Sequence, residues 1–170
     1  MSAGAAVLAE IQRESYAEAT AGFKSAWPEH DALDEAQIAG LLRRNRYCVL
    51  ATGRADGRAH AAPVAFVLGS DALWFATVSG LRLRNLRTTP WASLVVMEGQ
   101  RDEDEPGTDP PHRALTAEGP VVLHEGEAFA AAFEPIRPDW IERHGHPPDW
   151  AVALAELRPV RVFSHAADAP

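Results

Sequence analysis

The sequence predicts a mainly β fold with peripheral helices: a small barrel of about six antiparallel strands in one well-cored domain. Three observations carry this. Apolar runs of strand length recur from Tyr47 to Ser164. The first three are joined by turns too short for parallel crossovers, so they pair antiparallel. Helix-period stretches lie before and between the strands rather than alternating with every one of them. At 170 residues, with 46% hydrophobic and 24% charged side chains, the chain suits one soluble globular domain and is short for two.

In order along the chain, residues 4–26 read as a helix, with Val7, Ile11, Tyr16 and Phe23 at loosely helical spacing. Trp27-Pro28 ends it, because the residue before proline is pushed out of the helical region. A second helix starts at Asp34, with Gln37 three residues on as in a capping box. Ile38, Leu41 and Leu42 form its apolar face, and Arg43, Arg44 and Arg46 follow at the end where the helix dipole favours cations. Tyr47–Thr52 and Ala59–Leu68 are strands around Arg54-Ala55-Asp56-Gly57, since Asp-Gly is a strong hairpin-turn signal. Gly69-Ser70-Asp71 turns the chain into a third strand, Ala72–Val78. A helix runs from Ser79 to Pro90, followed by strand four at Trp91–Glu98. Residues 99–112, rich in Gly, Pro and acids, form an exposed loop. Strand five is Arg113–Leu123, Glu125–Phe133 is helical, and a short helix covers Asp139–His144 among interrupting prolines. Ala151–Leu157 and Val160–Ser164 make a last strand broken or bulged at Pro159. Closing such strands into a barrel removes exposed sheet edges.

The bulk properties narrow the function classes. No apolar run approaches the roughly 20 residues that span a bilayer. Glu10 and Glu14 follow the short N-terminal apolar stretch, which lacks a basic region and is a poor secretion signal. The single cysteine, Cys48, cannot form an internal disulfide and fits a reducing cytoplasm. A net charge of −8 argues against non-specific binding to nucleic acid or to anionic membranes. Arg82, Arg84 and Arg87 nevertheless stand together with no acid among them, which suits a small anionic ligand.

The segment Ala72–Val96 carries the most chemistry. Ser79 is a suitable N-cap, its hydroxyl placed to accept a backbone N–H of the first turn. The free N–H groups and positive dipole end of that helix suit a phosphate. Arg82 lies in the first turn, and arginine's planar fork of donors binds phosphate bidentately without titrating. Asn85 sits three residues on, on the same helical face, while Leu83 and Leu86 pack inward. Spacing alone reads equally well as a surface helix with solvated arginines. Upstream, His60-Ala61-Ala62-Pro63-Val64 places a proline inside a strand, which marks an edge or bulge. Its small residues admit something flat, such as a flavin ring, close to the backbone. An ordinary bulged strand fits that segment equally.

Taken together, LATGRADGRAHAAPVAFVL, ALWFATVSGLRLRNLRTTPWASLVVM, ALTAEGPVVL and LRPVRVF resemble, over residues 36–164, the pyridoxamine 5′-phosphate oxidase-like family of FMN-binding split β-barrels. The resemblance divides the chain into an N-terminal helical extension, 1–35, and a flavin-binding barrel domain, 36–170. It implies a homodimeric FMN-dependent oxidoreductase with cofactor at the subunit interface and a small-molecule substrate. Ala62, Pro63 and Val64 match the strand whose backbone lines the isoalloxazine. Thr77 matches a strand-end residue near the phosphate and ribityl chain. Arg82 stands where the family usually has a phosphate-binding lysine, with Ser79 and Asn85 in the same pattern. Arg113 falls at the start of a strand directed toward the partner's flavin. The run Ser79-Gly80-Leu81-Arg82 is one residue short and one cation poor against the family's pattern, and Arg84 is the candidate replacement. The tail VRVFSHAADAP lacks the Trp and Arg segment that binds pyridoxal phosphate, so vitamin B6 oxidation is not expected.

Related barrels use the deazaflavin F420, whose acidic tail needs a basic track; Arg43, Arg44, Arg54 and Arg58 are the candidates. A further alternative is a non-catalytic flavin- or haem-binding protein, since other split barrels resemble haem-binding relatives, for which His60, His112, His124 or His165 would be the axial ligand. The pair His144 and His146 lacks a third ligand at zinc spacing and reads as a loop. Cys48, inside a strand, reads as a small buried apolar residue rather than a nucleophile. No catalytic side chain and no metal ligand is expected. Trp74, Trp91, Trp140 and Trp150 are candidates for core or interface.

Overall fold

A computed structural model describes residues 3–98 and 112–167. The acidic stretch Asp102–Glu105 therefore lies outside the described residues, as does the predicted loop around it up to His112.

The helix expected over 4–26 is two helices, α1 (Ala3–Glu18) and α2 (Ala21–Ala26). Thr20 divides them: its backbone is extended and its Oγ1 accepts the Phe23 N–H at 3.2 Å, which starts a new helix. In α3 (Glu35–Arg44) the capping box is formed in both directions. Asp34 accepts the Gln37 N–H at 2.8 Å, and Gln37 Oε1 accepts the Asp34 N–H at 2.9 Å. Strands β1 (Tyr47–Gly53) and β2 (Ala59–Leu68) form the predicted hairpin. Gly57 takes φ 81° in its turn, a conformation that glycine adopts without steric cost. Next come β3 (Leu73–Thr77), α4 (Leu81–Thr88), β4 (Trp91–Glu98) and β5 (His112–Glu125). The chain ends with α5 (Glu127–Phe133), α6 (Arg137–His144), β6 (Ala153–Leu157) and β7 (Arg161–Ala167).

All pairings are antiparallel, in the order β4-β1-β2-β3-β6-β5, and β5 returns to β4 to close a six-stranded barrel. The seventh strand, β7, is an extra that pairs with the first half of β5. The expected break at Pro159 is a bulge between β6 and β7. Leu157 faces Val121 and Arg161 faces Glu118, so three residues on one side oppose two on the other. Gly119 makes this possible: a Cβ there would lie 2.0 Å from the Arg158 carbonyl oxygen.

Inward residues of the strands, among them Cys48, Leu50, Phe66, Phe75, Leu94, Leu115 and Leu157, form the core together with Ile38 and Leu41 of α3. α1 adds Ala5 and Leu8 to it. Tyr16 Oη donates to the Ser164 carbonyl at 2.8 Å, and Ser15 Oγ accepts the Val162 N–H at 3.0 Å, which fastens α1 to β7. A second apolar cluster lies under α5 and α6, where Phe133, Ile136 and Trp140 cover Val67, Ala76 and Leu154. Arg143 anchors α6 by donating to the carbonyls of Leu42, Asn45 and Phe66. No described helix is long and apolar enough to cross a membrane.

Candidate functional site

Where β2 leaves β3, the barrel wall opens. β2 pairs with β1 along Ala59–Ala65, but meets β3 only at Phe66–Leu68. One edge of Ala59–Ala65 therefore has no strand partner among the described residues. The Phe66 N–H points to the Arg46 carbonyl. Ladder alternation then turns the Pro63 nitrogen to the open side, where a missing donor costs nothing. Ala62 is half-buried, Pro63 exposed and Val64 buried, so a low wall of small side chains borders the opening.

β3 and α4 bound this region from the other direction. Thr77, at the end of β3, is buried, and its carbonyl accepts the Val152 N–H at 3.0 Å. The helix N-cap is Gly80, with no side-chain capping bond, and not Ser79 as the sequence suggests. Ser79 stands one residue outside, exposed. Leu83 and Leu86 are buried as expected, and so is Asn85, whose amide donates to Thr52 Oγ1 at 3.0 Å. That bond ties α4 to the inner face of β1.

Arg82 lies one turn before Asn85. Its Nε and Nη1 are shielded from solvent and have no hydrogen-bond partner among the described residues. Burial pulls its guanidinium below the usual arginine value. Two further shielded nitrogens without a partner among the described residues, Arg54 Nε and His60 Nδ1, belong to the β1–β2 hairpin. Cys48, on the inward face of the same strand, has its thiol pushed up to about 12 by burial, partly offset by the charge of Arg82. It is a neutral, inert thiol near neutral pH.

The structure thus brings together Ala62, Val64, Thr77, Arg82 and Asn85 around the split between β2 and β3. It does not bring in Arg84, which is exposed on α4. Arg113 is also remote: Trp91 of β4 faces Pro120 and Glu98 faces Arg113, so Arg113 lies at the far end of β4 from α4. Seven residues of strand are about 23 Å. There its Nη1 approaches Glu98 Oε1 at 3.4 Å while its Nε stays shielded and unpartnered.

The other histidines are accounted for differently. His124 contacts the buried Glu156 at 3.0 Å and stacks on Trp74. His165 packs against Trp27, and His112 is exposed at the start of β5. The His144 ring meets the Phe66 carbonyl at 3.2 Å, and burial lowers its pKa. Among the tryptophans, Trp140 is core, whereas Trp91 and Trp150 are 43% and 49% exposed. Arg43 and Arg44 end α3, at one end of β1, and Arg54 and Arg58 lie beyond the other end. Arg44 is held by Glu98 at 2.5 Å and Arg58 by Asp56 at 2.6 Å.

Two cavities lie elsewhere. One, of about 440 Å³, separates α1 and α2 from β4, β5 and β7; the other, of about 570 Å³, lies between α3, β2 and α6. Neither is lined by Arg82.

The family profile for pyridoxamine 5′-phosphate oxidase matches residues 34–166. No curated protein matches the sequence. Similar solved structures include an FAD-binding protein from Mesorhizobium loti, 17% identical, covering 81% of this chain and 96% of its own, with a TM-score of 0.61. The haem storage protein HutZ from Vibrio cholerae is 21% identical, covering 78% and 94%, with a TM-score of 0.56. An F420 reductase is 24% identical, covering 72% and 93%, with a TM-score of 0.51. At these identities the likeness is one of fold.

Proposed function

This chain belongs to the pyridoxamine 5′-phosphate oxidase family, and from that premise we propose that it is an FMN-binding oxidoreductase acting on a small molecule in the cytoplasm. The observation that carries the proposal is Arg82: a half-buried guanidinium with two shielded nitrogens that meet no acceptor among the described residues. Buried donors are paired in the great majority of native structures, and an anion at this position would pair them. FMN fits the residues present. Its phosphoryl group would meet Arg82 near the α4 N-terminus, and its ring would lie along Ala62–Val64, where small side chains and an unpaired strand edge leave room.

Bound flavin would supply the redox chemistry, while the chain orients it and shields it from water. The buried Cys48 thiol, with its raised pKa, is unsuited to act as a nucleophile. A second copy is expected to complete the cradle. An apolar outer strip supports this, with Tyr47 and Met97 each 63% exposed and Val49 in register with Pro63 and Val95. In such a dimer Arg113, far from its own cradle, is the candidate to reach the partner's. FMN is preferred to F420 because the arginines suited to an acidic tail are split between opposite ends of β1.

Purified protein reconstituted with FMN is expected to retain flavin absorbance after gel filtration and to elute as a dimer. Absence of bound flavin at micromolar FMN would remove the proposal, and tighter F420 binding would replace the cofactor. A second reading as a haem-binding protein rests on His60, whose Nδ1 is shielded beside the cradle. A Soret band on haem addition that His60→Ala abolishes would favour it.

A further inference from the structure

The cavity of about 440 Å³ is roofed by Ser15, Glu18, Thr20 and Phe23, all of which precede the span 34–166 that the family profile matches. The Thr20 cap ends one helix and starts the next, and the last turn of α1 thereby comes to lie against the sheet. The floor is the outward face of β4, β5 and β7. Ser93 faces Glu118, Glu118 faces Arg161, and Thr116 faces Phe163. A volume of this size admits a single-ring molecule.

The lining has an aromatic part and a negative part. Phe23 and Phe163 stand with ring centroids 4.2 Å apart, and Tyr16 meets Phe163 edge-on. Two carboxylates, Glu18 and Glu118, line the cavity against one guanidinium, Arg161. That guanidinium is already engaged by Glu118 at 3.0 Å. Glu18 is exposed and has no ion-pair partner among the described residues. The last turn of α1 carries no basic residue, so the carbonyl end of its dipole adds to the Glu18 charge and favours a cation. Aromatic faces attract cations as well. An ammonium therefore gains from both parts of the lining, whereas an anion of the same shape meets only a guanidinium that is already paired.

We propose that this cavity binds a small aromatic monocation, a single-ring amine, with its ring against Phe23 and Phe163 and its ammonium at Glu18. The N-terminal helices then roof a site that the barrel strands alone do not enclose. β1 stands between the β4 wall of this cavity and the open edge of β2, so the site is separate from the cradle and does not rest on the FMN reading.

The test is calorimetric titration of the full chain with 2-phenylethylammonium, phenylacetate and 2-phenylethanol, three probes of similar shape and different charge. The wild type is expected to bind the ammonium with a Kd of about 1 mM or tighter and the other two roughly tenfold more weakly. Glu18→Gln, at an exposed position that leaves the core intact, should weaken the ammonium about three- to tenfold and leave 2-phenylethanol unchanged. Ser93→Trp, which fills the cavity from the β4 side, should abolish binding of all three, with melting curves checking that both variants fold. Arg43→Gln, a charge change at the other cavity, should alter nothing. Absence of ammonium binding up to about 10 mM overturns the proposal, and a second copy of the chain seated in the cavity would give that result. Equal affinity for phenylacetate, or wild-type affinity in Ser93→Trp, overturns it too.

Discussion

Replacing Arg82 by methionine separates the two things this residue does. Methionine keeps a long apolar stem and fills irregular space, but has no donors. In the flavin-free protein Arg82 leaves Nε and Nη1 shielded and unpaired. A buried unsatisfied donor costs about 1–3 kcal/mol. The side chain is only partly buried, so the lower end applies, and removing the guanidinium should stabilise the flavin-free protein by about 1 kcal/mol. In a chain of this size that raises Tm by about 2–4 °C. With FMN the sign reverses. Loss of a charge-assisted hydrogen bond of about 1.5–3 kcal/mol weakens binding roughly ten- to hundredfold. The wild type at a hundredfold excess of FMN over Kd gains about 2.7 kcal/mol, so the order of the two melting curves should cross as FMN is added. Calorimetry of both proteins, with and without FMN, reads this directly. If Arg82→Met lowers the flavin-free Tm, then Arg82 is held by the fold and is not waiting for an anion, and the reasoning is refuted.

Gly119→Ala should lower stability by about 2–3 kcal/mol, because its Cβ would meet the Arg158 carbonyl at 2.0 Å and backbone cannot yield as a side chain can; a Tm within 1 °C of wild type would contradict the tight bulge. Arg143→Met removes donors to three carbonyls, two of them at the end of α3 and just beyond. Urea unfolding is expected to show a loss of about 2–4 kcal/mol, with FMN affinity of the folded protein unaltered. Alkali should destabilise the fold. Burial pushes Tyr16 from 10.0 and Cys48 from 9.0 up to about 12 each in the folded state. Between pH 9 and 12 the unfolded chain therefore holds fewer protons than the folded one. Stability from these groups is intact below pH 9 and falls as pH rises toward 12. Urea midpoints at pH 8, 10 and 11 should decline less steeply in the Tyr16→Phe, Cys48→Ala double variant; an unchanged slope would show that other groups are responsible.

Much of this molecule is local and therefore legible in one dimension. The Asp34–Gln37 box, the Asp56-Gly57 turn, the proline-marked edge of β2 and the inward Leu83 and Leu86 each follow from chemistry within a few residues. Thr20 shows the limit: its capping bond competes with helix continuation, and the apolar spacing across it gave no sign of the break. Gly80 shows another, since Ser79 has the better capping side chain but the end of β3 sets where the helix begins. Within the cradle, Arg82 and Asn85 were legible from helix periodicity and family pattern.

The amino-acid order by itself determined the strands, their antiparallel turns and the helix that carries Arg82, because hydrogen bonds and apolar periodicity act between near neighbours. Only the tertiary structure decided that β5 closes the barrel on β4, that Arg113 lies a strand's length from the cradle, and that Arg82 holds nitrogens with no acceptor among the described residues. Whether a donor is satisfied depends on every element packed around it, and no local pattern contains that information.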